Sequence, residues 1–236
     1  MPRPIAIFCD FDETAAVQNV ARLLLDRFAG GREKPHREAY LAGEISFKEY
    51  QERAFHETDA TSHEMAAYVR ENAALRPGFS ECVAAARSVG AAFSIVSAGL
   101  DFYIHALLER EGHAGLTVTA VSVTEPPSAQ GRFQYDYPWG LGGCGANSTM
   151  CKCRTVEAAK DSGATVVFVG DGLTSDACAA AKADVVFARS KLLEHCTATG
   201  IPCTAFENLH PLAEFIGSAT RRNPQTLMRS GRPTHT

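Results

Sequence analysis

Short apolar runs that end in acidic or small polar residues, each followed by a stretch of helical period, constrain this chain most. Residues 5–11 read as a buried strand whose apolar run reaches Cys9 and stops on acidic side chains, and 165–169 are almost purely β-branched and aromatic. Residues 91–96, 184–188 and 203–206 read as further strands. Between them, 79–89, 100–111, 154–162, 174–182, 190–199 and 209–217 carry helical spacing, three of them closed by Gly90, Gly112 and Gly163. Residues 117–124 alternate like a strand, and 131–137 suit its hairpin partner. Strands alternating with helices imply βαβ units and a mainly parallel sheet. With 45% hydrophobic and 21% charged residues in 236, the chain can bury a sizeable core, which excludes disordered and collagen-like classes.

One segment breaks the alternation. Val17, Val20, Ala21, Leu24 and Phe28 recur at helical spacing, and Gly30-Gly31 stop that helix. Ser46-Phe47-Lys48-Glu49 and Thr61-Ser62-His63-Glu64 are two capping boxes, each opening another helix. The expected organisation is therefore a core from 1–14 and 77–217, and an all-helical cap from 15–76 over the sheet's carboxyl edge. A mobile tail, 218–236, carries Arg221, Arg222, Arg229 and Arg232. The net charge of −4 argues against a nucleic-acid partner. No apolar stretch is long enough to span a membrane, and no leader pattern opens the chain. A cytoplasmic protein, monomer or homodimer, with reduced cysteines is the expectation. Cys144, Cys151 and Cys153 are grouped, but zinc in structural use takes four ligands, so buried thiols are the favoured reading.

In open parallel sheets, ligands sit outside the carboxyl ends of the strands. Four such places carry chemistry. Asp10-Phe11-Asp12-Glu13-Thr14 puts two carboxylates one residue apart; on an extended chain both would share a face, and their repulsion calls for a cation or a shared proton. Ser97-Ala98-Gly99 ends a strand with a hydroxyl and two small residues just before a helix, either an ordinary cap or a place for phosphate to approach backbone N–H groups. Lys152 lies between two cysteines just before a helix, where it is either solvated or a point charge for phosphate. Gly170-Asp171-Gly172 delivers a carboxylate onto a glycine-flanked turn, with Asp176 in the first turn of the next helix. Asp171 beside Asp10 and Asp12 would form an all-oxygen site suited to Mg²⁺.

Taken in order, DFDET, SAG, the lysine of CKC and GDGLTSD resemble the haloacid dehalogenase superfamily of phosphatases. The resemblance implies an α/β, Rossmann-like, three-layer parallel sheet with an inserted helical cap of the phosphoserine-phosphatase type. Residues 97–109, 144–152 and 170–196, with 43–55 of the cap and Arg76-Pro77-Gly78-Phe79, are similar to the methionine-salvage branch. The resemblance implies hydrolysis of a small phosphomonoester through an aspartyl-phosphate. Asp10 would be the nucleophile and Asp12 the general acid and base. Mg²⁺ would be held by Asp10, the Asp12 carbonyl and Asp171. Ser97, Ala98, Gly99 and Lys152 would hold phosphate, and Asp176 would bind a metal water or orient Lys152. Arg53 is either a substrate contact or an exposed helix charge. Gln18 and Asn19 are neutral where phosphoserine phosphatases carry an acid that reads the substrate amine, which points away from phosphoserine. Two other readings remain: a catalytically silent binder of a phosphorylated ligand, and a phosphotransferase that passes the aspartyl-phosphate to an alcohol.

Overall fold

The computed structural model describes residues 3–126, 132–138 and 149–218. The strands are hydrogen-bonded in the order β4-β3-β2-β1-β5-β6-β7, a seven-stranded, mostly parallel sheet. They are β1 (Ile5–Cys9), β2 (Ala92–Leu100), β3 (Thr117–Thr124), β4 (Gln134–Asp136), β5 (Thr165–Gly170), β6 (Val185–Ala188) and β7 (Thr204–Ala205). The chain divides into two compact units, the first containing residues 1–10, 76–96 and from 152 onward, the second 11–75 and 97–151.

The first unit is the α/β part. β1 pairs in parallel with β2 and with β5, β5 with β6, and β6 with β7. Five consecutive residues of β5, Val166 to Gly170, are buried. A strand buried at successive positions is covered on both faces, as a parallel sheet between helices must be. α5 (Phe79–Ser88) packs on α10 (His210–Ser218), while α7 (Lys152–Asp161) and α8 (Asp176–Ala180) pack on one another and against β5; α9 (Ser190–Thr199) lies against β6. The register sets Cys9 opposite Val169, so Asp10 and Gly170 follow at matched positions on neighbouring strands. There the strand order reverses direction, the kind of point at which α/β sheets bind ligands.

The second unit comprises 11–75 and 97–151. Its helices are α1 (Val20–Phe28), α2 (Lys34–Leu41), α3 (Phe47–His56), α4 (Ser62–Asn72) and α6 (Asp101–Arg110). Both capping boxes form: Ser46 and Glu49 at α3, and Thr61 and Glu64 at α4, each close reciprocally. α6 packs on α4 and on β3, and β4 runs antiparallel to β3 with Ser122 opposite Asp136. The expected hairpin therefore forms over its described residues.

Two expectations about strand ends need correction. β1 stops at Cys9, not Phe11. Asp10 N–H adds one more ladder bond, to Val169 C=O at 2.9 Å, and the chain then winds into a tight turn over Phe11–Ala15. Ala16 N–H closes that turn on Phe11 C=O at 2.8 Å, and Glu13 takes the left-handed φ of 57°. The segment is not extended, so strand alternation does not put Asp10 and Asp12 on one face. Conversely, β2 does not stop at Val96 but runs through Ser97, Ala98 and Gly99 to Leu100, and α6 begins only at Asp101. The sequence makes this ending ambiguous because glycine weakens a strand and small residues favour a turn. Tertiary contacts at Ala98 and Gly99 decide it. The tail from 219 and Cys144 lie outside the described residues.

Candidate active site

The first unit gathers three carboxylates and one ammonium at the carboxyl ends of β1 and β5. Asp10, Asp171 and Asp176 each offer an oxygen, all within 4.8 Å of one another. Lys152, the first residue of α7, is 1% exposed and bridges two of them, with Nζ 2.5 Å from Asp10 Oδ1 and 2.6 Å from Asp176 Oδ1. The Asp176 carboxylate also organises the turn that carries Asp171. Its Oδ2 accepts the backbone N–H groups of Asp171 at 3.1 Å and Gly172 at 2.9 Å, and Ser175 Oγ donates to Oδ1 at 3.3 Å. From the other side, Leu192 N–H donates to Asp171 C=O at 2.8 Å.

Gly170 is required at the strand end. A Cβ there would lie 2.7 Å from Asp176 Oδ2 and 2.9 Å from a Phe168 ring carbon. The glycine thus lets the carboxylate close over the backbone of the turn.

The electrostatics describe a site short of positive charge. Burial pushes the Asp10 carboxyl well above its ordinary range; Lys152 pulls it down, and Asp176 and Asp171 push it up again. Burial works against the Lys152 charge, but Asp10 and Asp176 outweigh it and hold its pKa above the ordinary lysine range. The ammonium therefore stays charged at neutral pH, and it is paired with Asp10 and Asp176. Both Asp176 oxygens already accept hydrogen bonds. Asp10 and Asp171 are the better-suited direct ligands for a hard divalent cation, and an all-oxygen donor set fits Mg²⁺. Cys9, next to the site, is buried, and burial raises its thiol well above the usual range, which makes it inert as a nucleophile.

In the second unit, Asp12 Oδ1 accepts Val20 N–H at 2.6 Å, and Tyr103 Oη donates to Asp12 Oδ2 at 2.9 Å. Ser97 is buried, and its Oγ accepts Gly99 N–H at 3.0 Å. The Ala98 carbonyl accepts from Gln51 Nε2 at 2.9 Å and Thr149 Oγ at 3.1 Å. Gln51 is buried on α3, and its Oε1 has no hydrogen-bond partner among the described residues. Arg53 is exposed on the same helix and pairs with Glu49 at 3.3 Å. Gln18 and Asn19 have structural partners: Gln18 Oε1 accepts Ala74 N–H at 3.0 Å, and Asn19 caps α1 through Arg22 N–H at 2.9 Å. Sequence reasoning missed Tyr103, Gln51 and Thr149, since a tyrosine, a glutamine and a threonine on separate elements form no motif. The described cysteines are free thiols, and Cys151 and Cys153 are buried. No helix among the described residues is long and apolar enough to cross a membrane.

Comparison with known proteins gives a consistent outcome. The family model for haloacid dehalogenase-like hydrolases matches residues 7–181. The chain is 29% identical over 209 residues to the 2-hydroxy-3-keto-5-methylthiopentenyl-1-phosphate phosphatase of Bacillus cytotoxicus, covering 88% of this chain and 94% of that protein. It is 32% identical over 217 residues to the bifunctional enzyme MtnB/MtnX of Bacillus licheniformis, covering 92% of this chain and 50% of that protein. Among solved structures, a phospho-aspartyl intermediate analogue of phosphoserine phosphatase superposes with a TM-score of 0.66 at 17% identity, covering 91% of this chain and 99% of that one.

Proposed function

The chain belongs to the haloacid dehalogenase-like hydrolases, and from that premise we propose that it is a Mg²⁺-dependent phosphomonoesterase working through an aspartyl-phosphate. The observation that carries the reading is the buried Asp10 carboxylate beside Lys152 at 2.5 Å, with Asp171 and Asp176 around it. A carboxylate attacking a phosphate dianion meets Coulomb repulsion, and this cluster holds what offsets it.

Asp10 attacks phosphorus. An Asp10 oxygen–phosphorus bond forms as the ester oxygen–phosphorus bond breaks. The leaving alkoxide takes a proton from Asp12, which then accepts a proton from the water that cleaves the aspartyl-phosphate to inorganic phosphate and free Asp10. General acid–base help of this kind is worth about 10²–10⁴-fold. Lys152 neutralises phosphoryl oxygens, and Ser97 with the backbone at Ala98 and Gly99 binds those that do not react. Asp176 holds Lys152 and the Asp171 turn in place. Asp10, Asp171 and the Asp12 carbonyl would hold Mg²⁺, which would supply further charge neutralisation.

The Bacillus cytotoxicus relative is named as a phosphatase of 2-hydroxy-3-keto-5-methylthiopentenyl-1-phosphate, so a small uncharged keto- or sugar-phosphate is the substrate class we favour, from methionine salvage or a specialised pathway. A silent phosphate binder would have no use for Asp12, which favours turnover. The test is hydrolysis of p-nitrophenyl phosphate by the folded protein with and without Mg²⁺, followed by a panel of phosphorylated metabolites. Metal-dependent release of phosphate is expected; no metal-dependent turnover of any phosphomonoester would retire the enzyme.

A further inference from the structure

Tyr103 lies in the first turn of α6, and its side chain is entirely buried. Its ring packs near Phe11 and Phe102, with centroids 6.1 and 5.5 Å away. A buried tyrosine hydroxyl needs a polar partner, and this one donates to Asp12 Oδ2 at 2.9 Å. The other oxygen, Oδ1, accepts Val20 N–H at 2.6 Å, at the start of the nine-residue helix α1. Ala21 N–H also donates to Oδ1, at 3.4 Å, and donors on both oxygens hold the carboxyl plane in one orientation. The neighbouring backbone is cut to fit the pair: a Cβ at Gly99 would fall 1.8 Å from Tyr103 Oη and 2.9 Å from Asp12 Oδ2. Gly99 was expected to make room for phosphate; on this face it makes room for a tyrosine hydroxyl.

We infer that Tyr103 is a positioning residue whose hydroxyl, together with Val20 N–H, fixes the Asp12 carboxyl in the orientation needed for proton transfer to the leaving group. The inference rests on the reading of Asp12 as proton donor. Loss of orientation at a reacting group costs up to about 10²-fold for a displacement of about 1 Å. The loss falls only where a proton must be delivered.

The experiment compares first-turnover rates on two esters of similar shape. p-Nitrophenyl phosphate has a leaving group that departs without a proton; benzyl phosphate releases an alkoxide that needs one. Tyr103→Phe is expected to lower the first-turnover rate on benzyl phosphate by about 10- to 100-fold. KM and the nitrophenolate burst should each stay within about threefold (no general acid is needed there). Asp12→Asn should show the same selectivity, and the double variant should lose no more than Asp12→Asn alone, because both act through one carboxyl. Equal losses on both esters, no loss, a gain, or additive losses in the double variant would overturn the role of Tyr103. If Asp12→Asn spares benzyl phosphate, Asp12 is not the donor, and the reading falls along with the inference. Circular dichroism confirms that each variant is folded.

Discussion

Asp176→Ala should destabilise the first unit considerably more than Asp176→Asn, and the contacts indicate by how much. Asp176 Oδ1 receives Lys152 Nζ at 2.6 Å, while Oδ2 receives the N–H groups of Asp171 and Gly172 at 3.1 and 2.9 Å. The ion pair is buried, Asp176 and Lys152 each being 1% exposed, while the two backbone donors are part-buried. Deleting one partner of a buried ion pair costs roughly 3–5 kcal/mol. Lys152 keeps Asp10, so the lower part of that range applies to the charge alone. The two part-buried amide donors left without that acceptor add up to about 1 kcal/mol each. About 3–5 kcal/mol in all is a large part of the roughly 5–15 kcal/mol that holds a domain together. Asparagine keeps a carbonyl oxygen for the two backbone donors but offers Lys152 Nζ no acceptor, losing a charge-assisted hydrogen bond worth about 1.5–3 kcal/mol. Urea unfolding followed by far-ultraviolet circular dichroism at neutral pH measures both, read as a shift of midpoint at unchanged slope. Equal losses for the two variants, or a loss below about 1 kcal/mol for the alanine, would refute the claim that one carboxylate both anchors Lys152 and ties the Asp171 turn.

Other consequences follow from the same contacts. Asp10→Asn should abolish phosphomonoester turnover and leave the far-ultraviolet spectrum unchanged; an active Asp10→Asn protein would contradict its assignment as nucleophile. Chelation should stop phosphate release and added Mg²⁺ restore it, since three clustered carboxylates have one ammonium among them, and it pairs with Asp10 and Asp176; activity in the presence of chelator would count against the cation. Phosphoserine should turn over slowly beside uncharged keto- and sugar-phosphates, because Gln18 and Asn19 are neutral and hydrogen-bonded within their own unit; a marked phosphoserine preference in the substrate panel would refute this. The capping-box glutamates Glu49 and Glu64 are held below the ordinary range by backbone and hydroxyl donors from Ser46 and Thr61. Their folded-state pKa values are depressed, so the stability they lend is present at neutral pH and is lost as pH falls through the acid range; Thr61→Ala should lower Tm at neutral pH, with a cost of about 0.5–2 kcal/mol.

The meeting of Asp10 with Asp171 was legible because each follows a strand of a parallel sheet at its carboxyl end. Alternation of period predicts the sheet, and apolar runs of similar length place their ends level. The register then does the rest, setting Cys9 against Val169 and leaving Asp10 and Gly170 side by side. Lys152 carried little signal alone, since nothing in Cys151-Lys152-Cys153 says that the lysine is buried. Only its place in the ordered series of motifs singled it out. Asp176 was visible as a first-turn acid, but its two roles depend on a turn tight enough that Gly170 cannot carry a Cβ, and no spacing rule reports that.

The strand end at Ser97 shows why local signals fail at such sites. A hydroxyl, an alanine and a glycine before a helical run read as a terminus, and helix-start geometry would then present N–H groups to an anion. Instead the strand continues to Leu100, Ser97 Oγ accepts the N–H of Gly99, and the Ala98 carbonyl is held by Gln51 and Thr149 from elements far away in sequence. The small residues are still needed, but for a different reason: the space beside Gly99 is filled by the Tyr103 hydroxyl and the Asp12 carboxyl. Propensity at 97–99 is weak in either direction, so a few tertiary hydrogen bonds are enough to decide it. The same reasoning explains how a tyrosine without any motif of its own comes to lie against the carboxylate that a well-marked motif supplies. Composition at the glycine records that something must approach closely, and only the fold shows that it is the side chain four residues along.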